Sequence, residues 1–440
     1  MTFPETVKNT LLDEISAMDL EHDRFSRHPG RDFSRNRKLG FQALLHFQIS
    51  MESGSVNHEI LKYFSYSKDA PTLSAFHQQR AKLSGDVFQQ LFYRFNSHYA
   101  TTLYRDKYQL FACDGASFTF TRNPKDKESY YNPSGRSEKG YNQIHLVALY
   151  DLLSQRYADA VIQPVRRKDE FAALVELIDR HEPDADSVPV FIADRGFHAY
   201  NVFAHAIEKG FFFVIRATDV KAERLLGDDL PEADCFDITV DRILTRSQSK
   251  RKHQHPELEN QYRHICKAVT FSSLPDDVYA EYPITLRVLR FPIGVDGHEN
   301  IITNLPEDDF GMEEIKSLYS LRWGIETSFC TLKHTIGAVN FHAKSREMIT
   351  HEIWARLILF NFCSVIAAHT VQQTQKRKHI HQVNYTVAFQ ACHYFMRLHN
   401  GEPPPEIEDL IRQHTLPVRP NRNYARQHRF QVPVSFTYRF

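Results

Sequence analysis

The sequence has few glycines and cysteines, and it carries no net charge. Only 16 of its 440 residues are Gly, which excludes collagen-like chains. The six cysteines are far apart and include no Cys-x-x-Cys pair, which argues against a disulfide scaffold and for a reducing compartment. Lys and Arg number 54, and so do Asp and Glu. Because the molecule has no overall positive field, only local basic patches could attract a polyanion.

Long uninterrupted apolar segments are also lacking. The first residues show no apolar core of a secretory signal. The most apolar window, residues 357–371, contains Asn361, Ser364 and His369, and we interpret it as too short and too polar to span a bilayer. Hydrophobic residues nevertheless make up 42% of the chain, which is enough for a folded core. The sequence therefore predicts a folded cytoplasmic protein with no membrane partner.

The apolar pattern changes along the chain and predicts several units. Apolar residues recur at helical spacing through 1–105, interpreted as a helical N-terminal DNA-binding domain. Strand and helix patterns then alternate, which predicts a mixed α/β sheet over 106–217. Residues 218–300 lack helical periodicity and are interpreted as a β-rich insertion, whereas 301–372 return to the main sheet and to helices. Residues 373–440 are interpreted as a C-terminal helical and basic region.

The most informative segment is a predicted helix over residues 312–336. At about 100° per residue, Tyr319, Arg322, Glu326 and Lys333 fall in one narrow stripe beside the apolar face. The row is about 21 Å long, which is far longer than one salt bridge needs and long enough to follow several phosphates of a nucleic-acid strand. The alternative is an ordinary Arg–Glu pair on a solvated helix face.

Two aspartates follow apolar runs that are typical of strands. Asp114 comes after residues 109–113, and Asp194 comes after 188–193. Ligand sites in α/β sheets favour the carboxyl ends of strands, although Asp is also a common turn residue. If Asp114, Asp194 and Glu326 converge, their charges would repel one another, and divalent cations would remove that conflict. Oxygen ligands favour Mg²⁺ or Mn²⁺, and two such ions can promote phosphoryl transfer.

The spacing Tyr319-x2-Arg322-x3-Glu326-x6-Lys333 resembles the Tyr-Arg-Glu-Lys motif of bacterial insertion-sequence DDE transposases. The segments around the two aspartates, ACDGASFTF and FIADRGF, resemble the same family. The resemblance implies an RNase H-like core in which Asp114, Asp194 and Glu326 are catalytic and bind two Mg²⁺ ions, with Mn²⁺ as a substitute. It also implies that Tyr319, Arg322 and Lys333 hold DNA phosphates.

Other segments supply further candidate DNA contacts. A helix–turn–helix pattern near residues 57–84 would read DNA through the exposed side chains of Gln78, Gln79, Arg80 and Lys82, or it would be a simple helical support. Basic side chains in an insertion loop and in the C-terminal tail would contact phosphates or remain solvated. They are Lys250, Arg251, Lys252, Arg422 and Arg426. Trp323 would stack on DNA or pack against a neighbouring element.

By the same resemblance, the expected function is that of an insertion-sequence DNA transposase. The protein would bind terminal inverted repeats as a homodimer, cleave DNA at the element ends and join the 3′-OH ends to target DNA, with no nucleotide cofactor. It would act in the bacterial cytoplasm, at the nucleoid. Two alternatives stay open: a domesticated sequence-specific DNA-binding protein that has lost catalysis, and a metal-dependent nuclease without strand transfer.

Overall fold

A computed structural model describes residues 1–132, 139–184, 187–249, 253–275, 277, 279–293, 297–372, 381–398 and 405–417. The N-terminal part is helical, as predicted. Its α-helices are α1 (Phe3–Leu20), α2 (Phe41–Ser50), α3 (Val56–Tyr63), α4 (Leu73–Arg80) and α5 (Val87–Asn96). The start of α1 is fixed by a reciprocal capping pair of Thr2 and Glu5, and α4 begins after Thr72, whose side chain accepts a hydrogen bond from the Ala75 amide.

One large mixed sheet follows the helices. Its first strand is β1 (Tyr108–Phe120). The remaining strands of this sheet are β2 (Tyr130–Tyr131), β3 (Tyr141–Asp151), β4 (Arg156–Pro164), β5 (Val188–Ala193), β6 (Phe212–Ala217), β7 (Phe236–Thr245), β8 (Tyr262–His264), β9 (Glu281–Ile293) and β10 (Gly297–Thr303). Their spatial order is β2-β3-β1-β5-β6-β10-β9-β7-β8, and β4 also pairs with β3.

The centre of the sheet has the order β4-β3-β1-β5-β6. Strand β3 is antiparallel to β1 and β4, whereas β1, β5 and β6 are mutually parallel. Parallel neighbours need crossover connections, and these are supplied by α6 (Glu170–Arg180) and α7 (Tyr200–Glu208). This topology confirms the predicted RNase H-like α/β fold.

The segment 218–300 is rich in strands, as predicted, but its strands extend the core sheet. Strand β10 pairs with β6, β9 pairs with β10, and β7 pairs with β9, all antiparallel. The segment also contains α8 (Asp219–Leu226), which the sequence pattern does not predict. The sheet therefore runs without a break from the catalytic core into this segment.

The predicted helix over 312–336 is divided into three parts. Helix α9 (Met312–Leu321) ends one residue before α10 (Trp323–Cys330), and a π-helical turn (Thr331–Thr335) follows. The long helix α11 (Arg346–Gln372) comes next. After it lie β11 (His381–Val383), α12 (Tyr385–Arg397), α13 (Ile407–Gln413) and β12 (Thr415–Pro417), with β11 and β12 antiparallel.

Helix α11 is the central core helix of the protein. In length and composition its segment Arg346–Thr370 could cross a membrane, which corrects our interpretation of this region as too short and too polar, but 83% of the apolar window is buried inside the protein. Leu357, Ile358 and Phe362 have no exposed surface. The apolar character of the helix is therefore explained by packing against the N-terminal helices and the sheet.

The two faces of β1 point into different cores. Ala112, Ala116 and Phe118 belong to the core shared with α11, whereas Phe111 and Cys113 belong to the core under α6 and α7. Successive side chains of a strand alternate between faces. Asp114 therefore lies on the face that carries α10 and α11, which is the side from which Glu326 approaches.

Candidate active site

Asp114 and Asp194 occupy neighbouring positions on parallel strands. In the pairing of β1 with β5, Cys113 lies opposite Ala193, and each aspartate is the next residue of its chain. Adjacent strands are about 5 Å apart, so the two carboxylates extend from neighbouring backbone positions. Asp114 does not end its strand as predicted, because β1 continues to Phe120 by pairing with β3.

The carboxyl group of Asp114 is strongly affected by its surroundings. Burial raises its pKa to about 6; a hydrogen bond from the Gly115 amide opposes the shift, and the charges of Asp194 and Glu326 add to it. The Gly115 amide lies 2.7 Å from Asp114 Oδ1. The structure thus places Asp114 within electrostatic reach of both Asp194 and Glu326.

Arg322 lies between two of these carboxylates. Its Nη2 donates a hydrogen bond of 2.8 Å to Glu326 Oε1, and its Nη1 is 3.9 Å from Asp114 Oδ2. The guanidinium also lies over the Tyr319 ring, 5.8 Å from the ring centroid. Because α9 ends at Leu321 and α10 begins at Trp323, Arg322 occupies the junction between two helices.

Asp114, Asp194 and Glu326 are candidate ligands for a divalent cation. Within the described ranges, no three His, Cys, Asp or Glu side chains are already placed as ligands around one metal ion. Asp114, Asp194 and Glu326 nevertheless provide the hard oxygen donors that Mg²⁺ and Mn²⁺ prefer. Burial is the main cause of the raised pKa of Asp114, and the positive charge of Arg322 opposes that shift only in part. The donor set therefore fits such ions, and an ion would take over contacts that Arg322 makes in this structure.

The remaining members of the predicted row lie along the same face. Lys333 Nζ is 5.1 Å from the centroid of the Phe118 ring; burial lowers the pKa of Lys333, and the charge of Asp114 opposes that shift. Tyr319 is only 8% exposed. Trp323 is 52% exposed, and the Arg322 guanidinium lies 5.9 Å from its ring centroid; a contact of Trp323 with DNA stays a prediction.

Charged groups that sequence analysis missed surround the acidic residues. Arg216 Nε lies 3.0 Å from Glu299 Oε1, and burial raises the pKa of Glu299 while Arg216 and Arg322 lower it. On the other side, burial lowers the pKa of Lys221 and Asp194 raises it. Neither Glu299 nor Lys221 is among the predicted site residues, and the fold places both beside the site.

The predicted N-terminal DNA contact Arg80 is not exposed. It is 5% exposed, and its Nη1 lies 3.2 Å from Glu352 Oε1 on α11. It also lies over the Phe76 ring. The prediction of an exposed Arg80 is wrong because this face of α4 packs on the core helix. Gln78 remains exposed, whereas Gln79 and Lys82 are half-buried.

Five further predicted contacts lie outside the residues that the structure describes. They are Lys250, Arg251, Lys252, Arg422 and Arg426. Their assignment as phosphate contacts stays a prediction from their charge.

Comparisons with known proteins identify the family of most of the chain. Residues 105–362, more than half of the chain, match the family model of the transposase DDE domain. The transposase for insertion sequence element IS421 of Escherichia coli is 37% identical over 62 residues, 14% of this chain. The match spans only 17% of that relative. The cryo-EM structure of the piggyBac transposase synaptic complex with hairpin DNA has a TM-score of 0.47 and 10% identity, covering 93% of this chain and 84% of that chain.

Proposed function

Because the chain belongs to the transposase DDE-domain family, we propose that it is the DNA transposase of an insertion sequence. It binds the terminal inverted repeats of its element, cleaves the DNA at the element ends and joins the 3′-OH ends to target DNA. The observation that carries this proposal is the geometry around Asp114, which lies beside Asp194 on the neighbouring parallel strand and 3.9 Å from Arg322, the hydrogen-bond partner of Glu326.

The proposed cofactors are two Mg²⁺ ions, or Mn²⁺ in their place, held by Asp114, Asp194 and Glu326. Such ions lower the pKa of a bound water and stabilise the charge of a leaving oxygen in phosphoryl transfer. The buried position of Asp114 supports this assignment, because a buried carboxylate is expensive to ionise unless a cation compensates for it.

The basic and aromatic residues of the site have the proposed role of holding DNA. The planar guanidinium of Arg322 can bind a phosphate through two parallel hydrogen bonds. When DNA binds, the guanidinium breaks its hydrogen bond with Glu326 and binds that phosphate instead. Lys333 lies over Phe118, and the charge of Asp114 acts on its ammonium group, so Lys333 meets a phosphate close to the reacting one. Tyr319 supports the Arg322 guanidinium, so the reacting phosphate is oriented before chemistry begins.

The proposed assembly is a homodimer that pairs two element ends on double-stranded DNA, in the bacterial cytoplasm. Each subunit would supply one set of Asp114, Asp194 and Glu326, because joining two ends to a target requires two cuts and two joining steps.

A cleavage assay with matched variants tests the proposal. The substrate is a plasmid that carries the DNA bordering the gene on both sides, incubated with Mg²⁺ or Mn²⁺. We expect wild-type protein to cut at the element ends, and Asp114→Asn, Asp194→Asn and Glu326→Gln to bind these ends without cutting. The control is Glu313→Gln on α9, a carboxylate whose side chain is 84% exposed, which should cut normally. Near-normal cutting by any of the three variants would remove that residue from the active site.

The same assay separates the two alternatives. If wild-type protein binds the ends and cuts under neither metal, the chain is a domesticated DNA-binding protein. If it cuts but gives no joined product from pre-cut ends, it is a nuclease without strand transfer.

A further inference from the structure

A second cationic surface lies at the far end of the strand that carries Asp114. It consists of five exposed basic side chains, which we name the distal platform: Arg122, Lys125, Lys127, Lys139 and Arg166. Arg122 and the two lysines follow the end of β1, Lys139 precedes β3, and Arg166 follows β4. The basic residues that flank these three adjacent strands thus lie at the same end of the sheet.

The distance of the platform from the active site suits a nucleic-acid strand. Strand β1 extends six residues from Asp114 to Phe120, which is about 20 Å at the rise of an extended strand. One DNA strand places phosphates about 3.4 Å apart along the duplex axis, so this span corresponds to roughly six nucleotides. A duplex with a phosphate at Asp114 can therefore also reach the platform.

Within the described residues, the acidic groups near the platform pair with other cations. Glu128 pairs with Arg167 and Arg346, and Asp126 lies 3.8 Å from Arg346. In the part of the chain that the structure describes, none of the five platform cations forms an ion pair. Cations of this kind favour a polyanion, because binding one releases counterions from its phosphates.

Two of the arginines are held rigidly on tyrosine rings. The Arg122 guanidinium lies 5.8 Å from the Tyr130 ring centroid, and that of Arg166 lies 5.4 Å from Tyr131. Arg122 Nε donates to the Lys139 carbonyl at 2.6 Å, and Arg166 Nε donates to the Tyr130 carbonyl at 3.1 Å. An arginine has five N–H donors, so both retain donors for a phosphate while their position is fixed.

Lys333 connects the platform to the active site. It lies over Phe118, which is on β1 between Asp114 and Phe120. Arg322 beside Asp114, Lys333 over Phe118 and Arg122 after Phe120 therefore follow one another in the direction of β1. A charged run is most often only a solvated surface, but this one continues a row of cations that begins at the active site, and its five platform members form no ion pair within the described residues.

We propose that the distal platform binds the backbone phosphates of duplex DNA beyond the reacting phosphate. This inference rests on the proposed function, since it assumes that the reacting phosphate lies at Asp114. The bound duplex has one of two sources, the donor DNA that flanks the element or the target DNA, and the phosphate chemistry is the same for both.

Charge reversal at two lysines tests the platform. Neither Lys125 nor Lys127 uses its ammonium group in a hydrogen bond or ion pair within the described residues, so Lys125→Glu and Lys127→Glu should fold normally, as thermal unfolding can verify. The matched control is Lys107→Glu. Lys107 is exposed and directly precedes β1 at the opposite end of that strand.

The probes are two end duplexes, one that stops at the cut and one that continues for about ten base pairs beyond it. If the platform holds the donor flank, each variant should bind the longer duplex about tenfold more weakly, with a salt slope reduced by about one, and bind the shorter duplex normally. If it holds the target, end binding is unchanged and joining of pre-cut ends to a plasmid falls about tenfold. Behaviour identical to Lys107→Glu in both assays would overturn the proposal. Wild-type cutting of the longer duplex reports separately on the active site, so the two failures are distinguishable.

Discussion

Arg322 donates a hydrogen bond of 2.8 Å to the carboxylate of Glu326, one helical turn further along the chain. The same guanidinium reaches to 3.9 Å from Asp114. Arg322 therefore supplies, in this structure, part of the positive charge that the acidic residues need. A divalent cation would compete with Arg322 for the carboxylate of Glu326. A DNA phosphate would compete with Glu326 for the guanidinium of Arg322.

This competition predicts the effect of Arg322→Gln on metal binding. Without the guanidinium, Glu326 and Asp114 lose their counter-charge, so Mn²⁺ should bind the DNA-free protein about tenfold more tightly, a gain of about 1.4 kcal/mol. Calorimetric titration with Mn²⁺ measures this, with Lys316→Gln on α9 as the control. Unchanged or weaker Mn²⁺ binding by Arg322→Gln would show that Arg322 does not compete with the metal ion for the carboxylates.

Lys333→Ala should weaken DNA binding through the loss of one phosphate contact. The logarithm of the binding constant falls linearly with the logarithm of salt concentration, and we expect the magnitude of that slope to decrease by about one. Binding of an end duplex at several salt concentrations measures it. Because Lys333 lies over Phe118, Lys333→Arg should restore much of the slope. An unaltered slope in Lys333→Ala would exclude a phosphate contact.

Arg80→Ala should act on stability. It removes the arginine partner of the buried Glu352 carboxylate, which keeps its contacts with His342, and removal of one member of a buried ion pair costs about 3–5 kcal/mol. Urea denaturation measures this loss, and the half-buried Lys82 offers a control, since Lys82→Ala should cost far less. A fully stable Arg80→Ala protein with weakened DNA binding would instead indicate that Arg80 contacts DNA.

Buried histidines should make the protein sensitive to mild acid. Burial lowers the pKa of His393 to about 4, whereas an unfolded histidine titrates near 6.5. The unfolded state therefore binds the proton more readily, and the free energy of unfolding contributed by His393 is complete above about pH 6.5 and lost as the pH falls toward 4.

Urea denaturation between pH 7 and pH 4.5 checks this sign. His393→Gln can still donate to the Ser50 carbonyl, which lies 3.0 Å from the histidine Nε2. In this variant, the free energy of unfolding should change less steeply with pH, by up to about 1.4 kcal/mol per pH unit. His255→Gln, at a side chain that is 54% exposed, should keep the full pH dependence. Equal slopes in the two variants would contradict a buried neutral His393.

Local sequence patterns predict the parts of this fold that depend on neighbouring residues. The strand runs before Asp114 and Asp194 are buried on both faces, and parallel pairing of such runs places the two aspartates side by side. The Arg322–Glu326 pair follows from i,i+4 spacing on a helix. These relationships require only short-range periodicity and the ordinary topology of an α/β sheet.

Contacts between distant segments could not be predicted in the same way. Arg80 is buried because Glu352, 272 residues away in the chain, lies on the helix that covers it. Strand β10 joins the core sheet beside β6, and this pairing brings Glu299 toward Arg322. No local pattern specifies which distant partner a helix or strand will meet, so burial and charge at these positions became visible only in the folded structure.

Cation binding by Asp114, Asp194 and Glu326 can be observed directly in a crystal of the protein with cut element-end DNA and Mn²⁺. Anomalous scattering locates Mn²⁺ independently of the protein atoms. We expect two Mn²⁺ positions, with carboxylate oxygens of all three residues as ligands at about 2.1 Å, and Arg322 turned from Glu326 to a DNA phosphate. Mn²⁺ bound elsewhere, or an Arg322–Glu326 hydrogen bond that persists in the DNA complex with no metal beside it, would contradict the proposed active site.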